Sequence, residues 1–277
     1  MPSDPLALRD AYDAQLRGLA EMQRAVAVDT DGPIHRGVFS EGRGFVSYRS
    51  LEGLDGTALD ELIGRTVAHY RDHTDVRAFE WKTRGHDAPA DLPGRLVAQG
   101  FVAEDPETVM IGAAIALADA PAPPPDVVLR RIDPADPQRA LRDVERMVAM
   151  QEAVFGSTAH DDPASIAAAL VGDPHHVEAW IAEAHGEVIC AGRLVLVPGT
   201  QFAGLWGGAT REDWRLRGVY RALCAARARS AIAKGVRFLH SDSTEGSRPI
   251  LERSGFVAVT TTTPYIWERA SASRRTR

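Results

Sequence analysis

Apolar positions recur along the chain with two periods, one typical of helices and one typical of strands. In helical stretches such as residues 218–234, apolar residues return every three or four positions. Short runs rich in β-branched residues are separated by glycine turns, as at Gly186. The pattern predicts helices at residues 6–20, 57–73, 91–99, 137–155, 163–170, 218–234 and 244–254. It predicts strands at residues 34–39, 44–49, 76–82, 108–113, 127–132, 176–183, 188–197, 202–210 and 236–241, and one or two strands around Pro264 at residues 256–267.

A proline-rich segment, residues 116–126, interrupts this pattern. Its prolines fix φ and lack a backbone N–H, so neither a helix nor a central strand can continue through them. The sequence therefore predicts a stiff linker between a domain at residues 1–115 and a domain at residues 127–269, both of suitable length. Residues 270–277 follow a Ser/Ala stretch and are rich in arginine, so we expect a disordered basic tail.

The predicted elements follow the same order in both halves of the chain: strand, strand, helix, strand, helix, strand. A strand–helix–strand unit implies a parallel pair joined by a crossover, whereas the hairpins before it imply antiparallel pairs. The predicted fold class is α/β (α+β), with two similar domains, each a mixed, largely antiparallel sheet flanked by helices. Residues 92–101 and 248–256 both place a helix ending in Gly-Phe before a strand, which favours a divergent internal duplication.

Composition narrows the class of protein. Apolar residues make up 44% and charged residues 25% of the chain, and the net charge is −6, which argues against a nucleic-acid binder. Cys190 and Cys224 stand in apolar surroundings and are expected to be buried free thiols in a reducing compartment. The chain shows neither a hydrophobic leader nor a membrane-length apolar run, so we expect a cytoplasmic protein. No cluster has metal-ligand spacing, and the oligomeric state stays open.

One segment, residues 210–221 (TREDWRLRGVYR), combines features of a phosphate site. It follows an apolar strand and opens the long predicted helix, whose free N-terminal amides and dipole attract anions. Gly218 allows close approach of the backbone, and Arg215, Arg217 and Arg221 add positive charge. An arginine-rich, solvated start of a helix is the alternative interpretation.

At these residues the chain resembles the GNAT superfamily, whose pyrophosphate loop reads Arg or Gln, two residues, Gly, one residue, then Gly or Ala. Residues 215–220 read RLRGVY, so Tyr220 departs from the pattern at the last position. The resemblance extends over about 127–267 and includes Gly255-Phe256. The N-terminal half looks like a degenerate copy, and its junction at residues 50–57 lacks such a loop. We therefore expect no cofactor in that half.

The resemblance implies an N-acetyltransferase that moves an acetyl group from acetyl-CoA to a primary amine of a small molecule or peptide. It also implies that the end of the strand and the loop hold the cofactor. The implied cofactor-binding residues are Gly208, Ala209, Thr210, Arg215, Leu216, Arg217, Gly218, Val219, Tyr220 and Arg221.

The acid–base residues usual in the family have no counterpart here. The strand at residues 201–210 has no carboxylate, and Leu251 stands where many members carry a tyrosine. The remaining catalytic candidates are His240, Tyr220 and Asp242, each with a structural role as its alternative: a packed imidazole, a core tyrosine, a helix cap. The sequence thus leaves open a non-catalytic acyl-CoA-binding or interaction module, and also a scaffold without a cofactor.

Overall fold

The computed structural model describes residues 4–119, 122–156 and 162–269. Contacts between them divide the chain into two compact units. The N-terminal unit comprises, among the described residues, 4–109, 242–248 and 258–269, and the C-terminal unit comprises 110–241 and 249–257. The expected tail at 270–277, and Ala120 and Pro121 of the expected linker, lie outside the described residues.

The helices largely follow the apolar periodicity of the sequence. They are α1 (Pro5–Leu16), α2 (Gly56–His73), α3 (Leu92–Ala98), α4 (Ala114–Ala118), α5 (Pro137–Phe155), α6 (Pro163–Gly172), α7 (Val219–Ala233) and α8 (Arg248–Glu252). Short 3₁₀ helices span Gly18–Met22, Ser40–Gly42 and Glu212–Trp214.

The strands alternate with these helices. They are β1 (Ala27–Asp31), β2 (Ile34–Phe39), β3 (Arg43–Tyr48), β4 (Ala78–Arg84), β5 (Val102–Ala103), β6 (Glu107–Ala113), β7 (Val128–Arg131), β8 (Val177–Ala184), β9 (Glu187–Leu196), β10 (Phe202–Thr210), β11 (Phe238–Ser243) and β12 (Val257–Glu268).

The boundaries of α5 show why the local sequence forms this helix. The side chain of Asp136 accepts a hydrogen bond from the backbone N–H of Arg139 at 3.0 Å, and Pro137 occupies the first turn, where no N–H is needed. Gly156, with φ of 81°, ends the helix. Between these ends, buried residues from Ala140 to Gln151 recur at helical spacing and face the core.

In the N-terminal unit, β1, β2 and β3 pair antiparallel, and β3 pairs parallel with β4 after the crossover through α2. β12 pairs antiparallel with β4 and carries β5 on its other side. Helix α2 buries its apolar stripe against this sheet, where Tyr70 stacks on Phe79 with ring centroids 4.2 Å apart. A Cβ at Gly44 would lie 2.6 Å from the Tyr70 ring, so only glycine leaves room there.

In the C-terminal unit, β7, β8, β9 and β10 pair antiparallel in that order. β10 then pairs parallel with β11, and α7 is the crossover between them. The apolar residues of α5 and α6 form one core cluster with β8 and β9, and those of α7 contribute to two others. The predicted fold, a mixed and largely antiparallel sheet with flanking helices in each half, is confirmed.

The division into units differs from the expected domains in three segments. Residues 110–119 count with the C-terminal unit, whereas 242–248 and 258–269 count with the N-terminal unit. β12 explains why residues 258–269 join the N-terminal unit, since it pairs with β4 from Thr262 to Glu268. The prolines mark a local break in the chain, but the pairing of distant strands decides which unit a segment joins.

Besides the 3₁₀ helices, two strands and one α-helix were not predicted from the sequence. β1 is largely exposed and shows no apolar alternation, β5 has two residues, and α4 begins just before the proline-rich segment. In addition, α8 is shorter than predicted because residues 244–247 form a turn, in which Thr244 O accepts from Ser247 N. Among the described helices, none is long and apolar enough to cross a membrane.

Candidate functional site

Strand β10 opens away from β11 partway along its length. The two strands pair from Phe202–Phe238 to Gly204–His240 and no further. On its other side, β10 pairs with β9 through Trp206, then shifts register and resumes at Ala209. Within the described chain, the β11-facing edge of β10 beyond Gly204 therefore lacks a partner strand, so its backbone groups are available to an extended ligand.

The loop after β10 has an irregular backbone at residues 215–218, the segment that carries the sequence motif. Leu216 and Gly218 adopt left-handed conformations, with φ of 62° and 80°. The side chain of Leu216 is fully exposed. Helix α7 begins at Val219. The first backbone hydrogen bond of this helix is donated by the Ala222 N–H to Gly218 O. The amides of residues 219–221 therefore have no intrahelical acceptor, and they form the positive end of the helix.

Three arginines lie in this loop and in the first turn of α7. The Nε of Arg215 donates to Thr210 O at 3.3 Å, and the guanidinium of Arg217 lies 4.8 Å from the ring centre of Trp214. The side chains of Arg215, Arg217 and Arg221 are exposed. No carboxylate of the described residues forms an ion pair with them, so their charge is available to an anion.

A cavity of about 280 Å³ lies beside the start of α7. Its charged lining residues are Arg221, Arg253 and Asp119, with the two arginines in excess, while Leu117, Cys224 and Leu251 provide apolar walls. The combination suits a ligand with anionic and apolar parts. The sequence did not single out Arg253, which follows α8 and comes close to Arg221 only in the fold.

Tyr220 turns its side chain toward β10. A Cβ at Gly208 would lie 2.6 Å from the Tyr220 hydroxyl, so the tyrosine packs directly on the Gly208 backbone. Burial raises the pKa of Tyr220 well above its usual value, and Cys224 adds to the shift. The hydroxyl is thus protonated at neutral pH and sits where β10 changes register.

His240 lies at the last paired position between β10 and β11. It is 7% exposed, and its ring meets those of Trp206 and Phe202 edge-to-face, with centroids 5.4 and 6.3 Å away. Trp206 is the last β10 residue before the register shift. The structure therefore places His240 at the point where the strands separate, in aromatic surroundings.

Asp242 lies two residues further along β11 and counts with the N-terminal unit. Its carboxylate forms an ion pair with Lys82 Nζ at 2.6 Å, and its side chain is 5% exposed. Burial would lower the pKa of Lys82, but Asp242 and Glu80 outweigh it and raise the pKa above its usual value. The interpretation of Asp242 as a helix cap is wrong, because it belongs to a strand and α8 begins only at Arg248.

Two buried polar residues near β10 were missed by the sequence analysis. Arg227 of α7 is fully buried, and its guanidinium donates to Arg193 O at 3.0 Å and Cys224 Sγ at 3.2 Å. Gly192 leaves room for it, since a Cβ there would lie 2.9 Å from the guanidinium carbon. Gln151 of α5 is 3% exposed and donates to Gly207 O. Helical spacing places both on buried faces, which was the available signal.

The two cysteines are buried and free, as the sequence predicted. Cys190 lies 3.2 Å from the Thr210 hydroxyl, and burial raises the pKa of its thiol to about 12. Cys224 packs in a core cluster to which α4, α7, β9 and β10 contribute residues. Among the described residues, no group of three or more His, Cys, Asp or Glu side chains is placed to hold a metal ion.

The matching strand pair in the N-terminal unit, β3 and β4, is closed by polar side chains. Its pairing ends at Val46–Trp81, and Asp87 bridges the two strands beyond that point. Asp87 accepts from the Tyr48 hydroxyl at 2.6 Å and from the backbone N–H of Arg84 at 2.7 Å. Arg17 completes the bridge with an ion pair to Asp87 at 2.8 Å.

Comparison with known proteins shows a likeness in structure. A scan of family models and a search of curated proteins found no match. Among solved structures, a GCN5-related N-acetyltransferase from Kribbella flavida aligns with a TM-score of 0.67 and 13% identity, over 99% of both chains. A GCN5-related N-acetyltransferase from Sphaerobacter thermophilus aligns with a TM-score of 0.60 and 17% identity, over 85% of this chain and 76% of its own.

A tandem GNAT protein from the clavulanic acid biosynthesis pathway aligns with a TM-score of 0.55 and 13% identity, over 87% of this chain and 79% of its own. The chain therefore has the fold of the GNAT acetyltransferases in a two-domain form, as its resemblance to that superfamily predicted. Identities this low establish the fold and leave the activity to be argued from the site.

Proposed function

We propose that the C-terminal unit binds an acyl-CoA, with acetyl-CoA as the first choice, and transfers the acyl group to a primary amine. The observation that carries the proposal is the opened edge of β10 leading into a cationic loop at the start of α7. The residues proposed to bind the cofactor are those predicted from the sequence: Gly208, Ala209, Thr210, Arg215, Leu216, Arg217, Gly218, Val219, Tyr220 and Arg221. The bound thioester would supply the activated acyl group.

The parts of this surface suit the parts of the donor. The free amides of α7 and the exposed guanidinium groups of Arg215, Arg217 and Arg221 suit phosphate oxygens. The open edge of β10 suits the amide-containing pantetheine arm, which can pair with it like an added strand. Arg253 is proposed as a further cationic contact, because it lines the cavity shared with Arg221.

Tyr220 and His240 are the proposed acid–base groups. The Tyr220 hydroxyl keeps its proton at neutral pH and lies at Gly208, so its proposed role is to donate a hydrogen bond that stabilises a leaving thiolate. His240 lies at the strand opening and can accept a proton from an amine. Asp242 is the weaker candidate for a base, because Lys82 already neutralises its carboxylate.

A non-catalytic acyl-CoA-binding module is the second candidate function. Strand β10 carries no carboxylate, Leu251 is a buried core residue, and Asp242 is held in an ion pair, all of which favour it. Release of the CoA thiol, measured with a thiol reagent across a panel of primary amines, separates the two functions. Turnover with an amine supports the transferase, whereas acetyl-CoA binding without turnover supports the module.

The N-terminal unit is proposed to bind no cofactor. The strand pair that corresponds to β10 and β11 is bridged by Asp87, Tyr48 and Arg17, and the segment before α2 lacks cationic residues. Its proposed contribution is to the stability of the fold or to recognition of the amine, which would be a small molecule or a peptide.

A further inference from the structure

Gln151 is a polar side chain on the apolar face of α5. It follows Met147 and Val148 by four and three positions, and all three are buried in the C-terminal unit. Burying an amide costs free energy unless its donors and acceptor find partners. A glutamine at such a position therefore calls for a specific partner.

That partner is the carbonyl oxygen of Gly207. Gln151 Nε2 donates to it at 2.5 Å. Gly207 lies within the register shift of β10, between the pairs Trp206–Arg193 and Ala209–Ala191, and has φ of 58°. A Cβ on Gly207 would lie 2.8 Å from Gln151 Nε2, so the amide packs directly on the backbone. The register shift leaves the Gly207 carbonyl without a hydrogen-bond partner on β9, and the Gln151 side chain takes the place of that partner.

Fixing this carbonyl also fixes the next backbone N–H. The peptide bond is planar and trans, so the N–H of Gly208 points in the direction opposite to the C=O of Gly207. Gln151 holds the carbonyl from the side of α5, which directs the Gly208 N–H away from α5. The Tyr220 hydroxyl packs on this same residue, Gly208.

We propose that Gln151 is a positioning residue that orients the Gly207–Gly208 peptide so that the Gly208 N–H binds the acyl-pantetheine part of the donor. The inference rests on the proposed function, and it adds a residue outside the loop on which recognition of the thioester end depends. The phosphate end of the donor, held by the loop and α7, does not depend on Gln151. A substitution of Gln151 should therefore weaken binding of the thioester end of the donor and leave binding of its phosphate end unchanged.

Calorimetry on the full chain tests this with two probes, acetyl-CoA and adenosine 3′-phosphate 5′-diphosphate, which has the phosphates but no pantetheine. Gln151→Met keeps the length of the side chain and removes the donor. We expect about tenfold weaker binding of acetyl-CoA, on the scale of one lost hydrogen bond, and nucleotide binding within twofold of the wild type. The control is Gln99→Met, the same substitution in the N-terminal unit, where it removes a longer contact of 3.5 Å to Asp60 O and should change neither affinity.

A second variant, Gln151→Glu, distinguishes loss of the hydrogen bond from a change in packing. Its ionised carboxylate cannot donate to Gly207 O, whereas its protonated form can. The ratio of acetyl-CoA affinity to nucleotide affinity should therefore recover toward the wild-type ratio as the pH falls from 8 to 5. Two results would overturn the role of Gln151. One is a ratio of acetyl-CoA affinity to nucleotide affinity that equals the wild-type ratio in both variants, and the other is an equal loss of affinity for both probes. A folded wild-type chain that binds neither probe would overturn the proposed function as well.

Discussion

At the scale of the residue, three side chains carry the proposed site. Arg217 is exposed and lies over Trp214, Tyr220 packs on Gly208, and Gln151 holds Gly207. The sequence motif predicted the arginine and the tyrosine as parts of the site. It gave no indication of Gln151, because one glutamine on an apolar helix face looks like an ordinary interruption until its partner is known.

Arg217→Ala should weaken acetyl-CoA binding by about 1–3 kcal/mol, the scale of a lost charged hydrogen bond. Its side chain is exposed and makes no ion pair among the described residues, so the free energy of unfolding should change little. Calorimetry measures the affinity, and Arg139→Ala, an exposed arginine near the start of α5, is the control. Equal affinities in both variants would remove Arg217 from the site.

Glu80 provides a test of the charged interior of the N-terminal unit. Burial raises the pKa of its carboxyl above the usual value, although Lys82 opposes the shift. A group whose folded pKa is raised stabilises the fold below its unfolded pKa, near 4.5, and loses that contribution as the pH rises through its folded pKa. Glu80→Gln should therefore raise the melting temperature at pH 7 and leave it nearly unchanged at pH 4.

Thermal unfolding at the two pH values measures this difference, with Glu52→Gln as the control because Glu52 is exposed. The same gain in melting temperature at pH 4 and pH 7 would mean that the ionisation of Glu80 is not its cause.

At the scale of the element, β10 and α7 form the site through a close fit between a strand that shifts register and a helix start. Gly207 and Gly208 permit this fit, the first through its positive φ and the second through the space it leaves for Tyr220. Because the two elements are matched, changes on either side should be coupled.

Gly208→Ala tests this coupling. The added Cβ would lie 2.6 Å from the Tyr220 hydroxyl, so we expect a loss of about 1–3 kcal/mol in the free energy of unfolding, as for an overpacked core. Tyr220→Phe removes the closest contact, so the double variant should lose less than the sum of the two single variants. Urea unfolding measures the four chains. Strictly additive losses would show that the residues do not interact.

Most elements could be predicted from the sequence, because apolar periodicity and glycine or proline signals set their positions. α5 and β10 have the predicted bounds, 137–155 and 202–210. β4 lies at Ala78–Arg84, two residues beyond the prediction. The register shift at Gly207 and the side of β4 on which β12 pairs depend on contacts between distant residues, which a local pattern does not contain.

The candidate site divides in the same way. The loop and its arginines are contiguous in sequence, so the motif located them. Arg253, Gln151 and the ion pair of Asp242 with Lys82 join residues far apart in the chain, and only the fold brings them together. The motif therefore predicts a phosphate site better than it predicts the groups around the thioester.

At the scale of the whole molecule, the two units repeat one order of strands and helices but differ where a ligand would enter. In the C-terminal unit β10 and β11 separate and a cationic loop follows, whereas in the N-terminal unit Asp87 bridges β3 and β4. Among the described residues, a surface of the proposed kind therefore lies in the C-terminal unit and has no counterpart at β3 and β4. The prediction is a stoichiometry of one donor molecule per chain.

Titration of the full chain with acetyl-CoA by calorimetry tests the central claim most directly. We expect saturable binding of one acetyl-CoA per chain, and weaker binding by Arg217→Ala. Two sites per chain would contradict the assignment of the site to the C-terminal unit alone. No heat of binding at millimolar acetyl-CoA, from a chain that is folded by circular dichroism, would contradict the claim that this fold binds acyl-CoA.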